Sequence, residues 1–169
     1  MRNIGNLIAP REPAMRPFEL DATDRRILRE LQQDGSLRND MLAERVALSP
    51  APTLRRVRAL ETNGVISRYA ALLDPERVGL GVRVKVDVRL ASQTREGIDA
   101  FSKAVSAMAE VVECIILFGE WDYQMTVVAR DVDDYQRFVF DKLSKLPNIA
   151  TYRSTLIMQM VKHTTVLPV

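Results

Sequence analysis

Residues 39–61 read NDMLAERVALSPAPTLRRVRALE, and the rest of the chain is organised around them. Ser49 has the hydroxyl of an N-cap, and Pro50 suits a first helical position, where no amide hydrogen is required. With Pro52 still in the first turn, Leu54, Val57, Arg58 and Glu61 fall on one side at helical spacing. Ser49, Pro52, Arg55, Arg56 and Ala59 fall on the other. The first side is expected to pack and the second to face out. Ahead of this helix, Asn39 can cap a shorter one whose inner stripe is Leu42, Ala43 and Val46. Only Ala47 and Leu48 then separate it from Ser49. So brief a connection forces a steep crossing of two short helices, the geometry of a helix-turn-helix.

An outward face with small residues in its middle and guanidinium groups at its edges fits a major groove, because arginine can fork onto guanine or grip phosphate. An ordinary amphipathic helix with solvated arginines would read the same way by itself. The short turn before it favours the groove.

Working outward, Asp21 can cap an earlier helix in which Ile27, Leu28 and Leu31 face inward and Asp34-Gly35 ends the run. Three helices over residues 19–66 make a compact helix-turn-helix domain. Residues 1–18 carry Pro10, Pro13 and Pro17 among Arg2, Arg11 and Arg16 without periodicity, a flexible basic arm.

Downstream the period changes from helical to alternating. Residues 66–73 are strand-like and lead into a connector spanning 67–80. Val82, Val84, Val86, Val88 and Leu90 then alternate with Arg83, Lys85, Asp87 and Arg89 without a miss, which predicts a half-buried strand. A helix over 96–108, strands over 111–118 and 123–130, a helix over 133–146 and a strand over 149–161 complete a βαββαβ order. The fold class is α+β, a winged-helix-like helix-turn-helix domain joined by a strand connector to a ferredoxin-like domain over 81–169. The two-sided apolar run VVECIILF at 111–118 asks for a cover that this chain has no further helix to supply, and a second copy is the simplest one.

Charge and composition narrow the function. The net charge of +2 conceals an asymmetry: residues 1–68 hold 12 basic and 9 acidic groups, residues 69–169 hold 12 and 13. Every positive side chain before Lys85 is an arginine. The lone Cys114 excludes an intramolecular disulfide and a thiolate zinc cluster, and its apolar strand predicts a small core residue. No apolar run of 18 residues is present, so neither a membrane span nor secretion is expected; a cytoplasmic protein is the default, and the nucleoid association expected of it rests on the resemblance given next. His163 is the only histidine, and neither a nucleophile–base pair nor a phosphate-cradling glycine loop appears, so an enzyme is not expected.

LDATDRRILRELQQDG from Leu20 and LAERVALSPAPTLRRVRALETNGVISRYAALLDP from Leu42, followed by Gly119-Glu120-Trp121-Asp122-Tyr123, resemble the leucine-responsive/asparagine-operon (feast/famine) regulators across residues 18–162. The resemblance implies a transcription regulator without a cofactor. It also implies binding to double-stranded operator DNA, dimerisation through the back domain, assembly up to octamers and response to an amino-acid effector. It assigns DNA contact to Ser49, Pro50, Thr53, Arg55 and Arg56, and to Arg58, whose inward angle also suits a salt bridge to Glu61. It assigns the effector to Gly119 and Asp122, with Ile116, Glu120, Trp121, Tyr123 and Thr155 as walls. Asp122 would balance the effector's ammonium group, and Gly119 would let backbone approach its carboxylate. Read from the sequence alone, the same residues make a strand-connecting turn in which Gly119 supplies a positive φ and Asp122 caps its own backbone. Two positions depart from the family. Ala47 stands where the turn usually has glycine, and Trp121 is bulkier than its usual counterpart. The alternative function is an architectural protein that bends or wraps DNA without a ligand.

Overall fold

The computed structural model describes residues 18–169. The basic arm expected over 1–18 lies outside them except for Phe18, which packs against the helical core. The chain forms two compact units. One comprises the residues up to Leu72 together with Lys162–Val169, and the other is Leu73–Val161.

In the first unit α1 (Ala22–Gln33) starts at a reciprocal cap. Asp21 Oδ1 accepts from the Thr23 and Asp24 amides at 2.8 Å each, and Asp24 Oδ2 accepts from the Asp21 amide at 3.2 Å. Those bonds satisfy amides that the first helical turn leaves without partners. α2 (Asn39–Arg45) has no side-chain cap, contrary to expectation. Asn39 is its first residue, and its side-chain Nδ2 instead donates to the Pro50 carbonyl at 2.9 Å, joining the starts of two helices. Between α2 and α3 (Pro50–Thr62) the backbone at Ala47 turns left-handed, with φ 55°. The turn therefore keeps the glycine-type conformation although its residue is alanine. Ile27, Leu28, Leu42, Val46 and Leu60 form the core, with Leu48 plugging the turn and Val57, Ile66 and Val169 packed around it. Gly64, at φ 69°, lets the chain leave α3.

The expected strand at 66–73 is not paired, and residues 68–73 are exposed. A strand exists only with a partner for its backbone groups, and among the described residues none lies alongside.

The second unit holds β1 (Val82–Leu90), α4 (Arg95–Ser106), β2 (Val111–Ile116), β3 (Tyr123–Ala129), α5 (Val132–Asp141) and β4 (Ile149–Leu156). The strand order is β2-β3-β1-β4, all antiparallel. α4 is capped by Thr94 Oγ1 and α5 by Asp131 Oδ1, each accepting an amide of the first turn. The valine face of β1 packs with Tyr123, Met125 and Val127 of β3 beneath Phe101, Val105, Phe138 and Leu143. Both helices thus cover one face of the sheet.

The opposite face is polar. Asp87 is almost fully buried there, accepting from Arg153 Nη2 at 2.8 Å and Gln124 Nε2 at 2.9 Å. Lys85 Nζ meets Glu113 at 2.8 Å, and Thr126 Oγ1 donates to the same carboxylate. Of the apolar run expected as a strand over 111–118, residues 111–116 form an edge strand and 117–118 lie beyond it, and Val112, Ile115, Ile116 and Phe118 remain exposed. Cys114 on that strand is exposed rather than a core residue, because an edge position is sheltered on one flank only.

Candidate DNA-reading helix and effector loop

The inner stripe of α3 is rotated by one residue from the sequence reading. Thr53 and Leu60 are completely buried, and Arg56 and Val57 are half-buried between them. Positions 53, 56, 57 and 60 form one helical stripe, so Ala51, Leu54, Arg55 and Arg58 face outward. The apolar Leu54 suggested the wrong stripe, because hydrophobicity alone did not reveal that Thr53 is the better inward residue.

The consequences differ among the expected DNA contacts. Ser49 and Pro50 are exposed at the start of α3, and the Ser49 hydroxyl makes no capping bond. Arg55 is exposed as expected. Thr53 is turned in and fully buried, its hydroxyl donating to the Ser49 carbonyl at 3.0 Å, which satisfies a buried polar group. Arg56 is turned in as well. Its Nη1 donates to Asp21 Oδ2 and Asp24 Oδ1, both at 2.8 Å. Arg58 faces solvent and does not pair with Glu61, which accepts from the Tyr69 hydroxyl at 3.0 Å. Ala51 and Leu54 are outward positions that the sequence reading missed. The helical spacing 51, 54, 55, 58 was the signal that could have found them.

Electrostatics fit this division. Asp21 is held below its ordinary value, first by the Asp24 amide and then, against some desolvation, by Arg56. Arg56 is pushed up by its hydrogen bonds to Asp24 and Asp21. This cluster fixes the start of α1 to the middle of α3 and so aims the outward face. Among the described residues Arg55 and Arg58 make no ion pair, which leaves two guanidinium groups on one exposed helical face.

In the second unit, residues 117–122 link β2 to β3. The Leu117 amide donates to the Asp122 carbonyl at 2.8 Å, and the Asp122 amide donates to the Val88 carbonyl at 2.9 Å. Asp122 Oδ2 accepts from the Leu90 amide at 2.8 Å and Oδ1 from Gln93 Nε2 at 2.7 Å. Its carboxylate is thus engaged by the end of β1 and the residues just beyond. The Gly119 backbone is not left-handed, and a Cβ added there would meet nothing within 4 Å, so a positive φ is not what glycine supplies. Glu120 is exposed and receives Arg89 Nη2 at 3.3 Å.

Trp121 is half-buried, with the Arg89 and Arg153 guanidinium carbons 5.2 and 4.9 Å from its ring centroid. Thr155 lies two residues beyond Arg153 on β4, opposite Lys85, on the same polar face. Ile116 is exposed on the edge strand. Tyr123 is not a wall of this face. It is buried on the helical side, 4.6 Å from Phe101 between ring centroids, and its hydroxyl meets Ser102 Oγ at 2.9 Å. Strand alternation sends it there, one position after Asp122. The structure therefore brings Glu120 and Trp121 together with Arg89 and Arg153, places Thr155 on their face and separates Tyr123 from them. Sequence patterning marked Arg89 and Arg153 only as solvent-facing strand residues.

Among the described residues no cluster of histidine, cysteine or acidic side chains could hold a metal ion, and no helix is long and apolar enough to cross a membrane.

Comparison with known proteins matches both units. Residues 20–67 fit the winged helix-turn-helix DNA-binding model, and residues 83–167 the Lrp/AsnC ligand binding domain. The leucine-responsive regulatory protein of Escherichia coli K12 is 37% identical over 145 residues, covering 86% of this chain and 88% of that protein. The proline dehydrogenase transcriptional activator of Rhodobacter capsulatus is 39% identical over 142 residues, covering 84% and 92%. A transcriptional regulator of Neisseria meningitidis, solved as a complex with L-Met, superposes with a TM-score of 0.85 at 39% identity, covering 89% and 97%. All three are transcriptional regulators or named for regulation. With one family model covering residues 83–167, the helix-turn-helix model covering the other unit and relatives matched over most of their length, this chain belongs to the Lrp/AsnC family of transcriptional regulators.

Proposed function

We propose that this protein is a sequence-specific regulator of genes of amino-acid metabolism, and that an amino acid bound by its second unit changes its DNA occupancy or its assembly. The observation that carries the DNA half is the outward face of α3, where Arg55 and Arg58 flank small and apolar side chains while Arg56 is held inward. Such a face can enter a major groove and grip phosphates or guanine edges. Ser49 and Pro50, at the helix start, complete the contact surface; Thr53 and Arg56 position it.

The effector half rests on the ligand-binding family and on the Neisseria relative with L-Met. Gly119, Glu120, Trp121 and Thr155 form the effector surface, while Ile116, paired with Tyr123 at the strand edge, turns to the helical side. Asp122 shapes the loop through Leu90 and Gln93 and is thereby a positioning residue. Tyr123 supports the loop from the core. The exposed Val112, Ile115, Ile116 and Phe118 support a homodimer that assembles further, since a lone chain leaves this strand uncovered. The protein works in the cytoplasm, on the nucleoid, and performs no catalysis.

The test is thermal unfolding of the full chain with each of the twenty amino acids, with light scattering in parallel. Selective stabilisation by one or a few ligands is expected, growing as RT ln(1 + [L]/Kd). If no amino acid moves the midpoint or the particle size, the effector half fails and a ligand-independent architectural role takes its place.

A further inference from the structure

The outward face of α3 contains one feature that phosphate gripping does not use. Leu54 is 39% exposed and belongs to neither the buried stripe nor the core around Ile27 and Leu60. Its neighbours on that face are Ala51, one turn earlier, and the cations Arg55 and Arg58. From Ala51 to Arg58 the helix rises about 10 Å, so this stripe fits within a major groove about 12 Å wide. Ala51 permits close approach, and the arginines can reach the polar edges. A branched apolar side chain at the centre has one apolar counterpart on the groove floor of ordinary DNA, the 5-methyl group of thymine.

The geometry points to Leu54 as a specificity-determining residue that reads a thymine methyl group in each half-site. This assignment rests on the proposal that α3 lies in the major groove. Desolvating the methyl against the Leu54 isobutyl group favours a T·A pair in one orientation, because neither the complementary adenine nor either base of a G·C pair carries a methyl group there. Arg55 and Arg58 supply affinity on either side, and Leu54 supplies discrimination. A single exposed leucine is ordinary on a protein surface; this one stands on the helix whose orientation Arg56 fixes by holding two carboxylates.

The experiment begins with the full-length wild-type protein and a duplex selected by it from a random pool. Each thymine is then replaced in turn by deoxyuridine, which keeps every hydrogen-bonding group and removes only the methyl. Wild type is expected to lose about fourfold in affinity at one thymine of each half-site, the effect of one buried methyl-sized group. Leu54→Ala is expected to bind the parent duplex several-fold more weakly and to show no further loss on that replacement. Its circular dichroism should match wild type, since Leu54 lies outside the core. Arg55→Ala and Arg58→Ala serve as controls for the groove. If they weaken binding and flatten its salt dependence, yet Leu54→Ala loses affinity at the same thymine as wild type, the Leu54 assignment is overturned and the groove placement stands. The assignment is equally overturned if no thymine is sensitive to loss of its methyl. If the arginine variants bind with unchanged affinity and salt slope, the groove placement falls and the Leu54 assignment with it.

Discussion

Arg56 Nη1 lies 2.8 Å from Asp24 Oδ1 across two helices, and the Asp24 side chain is only 8% exposed. The same nitrogen reaches Asp21, whose other carboxylate oxygen caps α1. One guanidinium thus ties the cap of α1 to the centre of α3, a role opposite to that of Arg55 beside it. Arg56→Ala should cost about 1–2 kcal/mol by leaving a buried hydrogen-bonded carboxylate without its donor. Arg55→Ala and Arg58→Ala should leave stability within about 0.5 kcal/mol of wild type. Each should instead reduce DNA affinity and lower the salt slope by about one. Urea unfolding and binding titrations at several salt concentrations separate the two behaviours. An Arg56→Ala protein of wild-type stability would refute the positioning role.

The carboxylates give the acid side of the stability curve its sign. At Asp87 burial pushes the value up, but hydrogen bonds from Gln124 and Arg153 outweigh it and leave the value below the ordinary 3.8. A folded value below the unfolded one means that the contribution is complete above about pH 4 and is lost as pH falls through the folded value. Asp21 behaves in the same direction. The melting temperature should therefore decline below pH 4, and Asp87→Asn should show a shallower decline there than wild type. Parallel slopes would exclude Asp87 as a source.

Ala47 holds φ 55° in the turn between α2 and α3 and is exposed. A left-handed backbone costs an L-residue with a Cβ roughly 1–2 kcal/mol, partly offset by the greater freedom glycine has when unfolded. Ala47→Gly should stabilise the first unit by roughly 0.5–1 kcal/mol without altering the outward face of α3. A lower urea midpoint would contradict the strain argument.

The segment Lys162–Val169 contributes to the helical unit. Leu167 exchanges hydrogen bonds with the Gln32 side chain at 2.6 and 3.1 Å, Arg29 Nη1 donates to the Val169 carbonyl at 3.0 Å, and Val169 packs on the core. Removing residues 166–169 should lower protection of the α1 amides from hydrogen exchange by about tenfold, equivalent to one or two lost hydrogen bonds. Protection in α4 and α5 should not change. Equal protection of α1 in both proteins would show that the segment does not support it.

Asp122 joins its loop to β1 through the Leu90 amide and Gln93. Asp122→Ala leaves the Leu90 amide without its acceptor and should lower the melting temperature of the second unit by several degrees, from about 1–2 kcal/mol. It should also blunt stabilisation by the effector while leaving DNA affinity without effector unchanged. Gln93→Ala, which removes one bond to the same carboxylate, should give a smaller change in the same direction. An effector response equal to wild type in Asp122→Ala would separate this residue from the sensing surface.

Much of this architecture follows from local periodicity. The strict alternation from Val82 to Leu90 determined the central strand and which of its faces is buried, because successive side chains on a strand must point opposite ways. Asp21 announced its cap, and the two-residue link between Val46 and Ser49 announced the crossing of α2 and α3, because so short a chain has few ways to turn. The orientation of individual side chains within those elements was less legible. In α3 a threonine and an arginine outcompeted a leucine for the buried stripe, since Thr53 finds a backbone acceptor at the cap of its own helix and Arg56 finds two carboxylates at the start of α1. Those partners are 32 and 35 residues away in sequence, beyond any helical period. Likewise Tyr123 and Asp122 are adjacent in the chain, yet one packs under Phe101 and the other holds the end of β1. Apart from the strand expected at 66–73, the sequence by itself determined the elements, their order and the family, because these depend on spacing along the chain. Only the tertiary structure decided which arginine of α3 is exposed and which side chains gather around Trp121, because partners distant in sequence compete for each polar group.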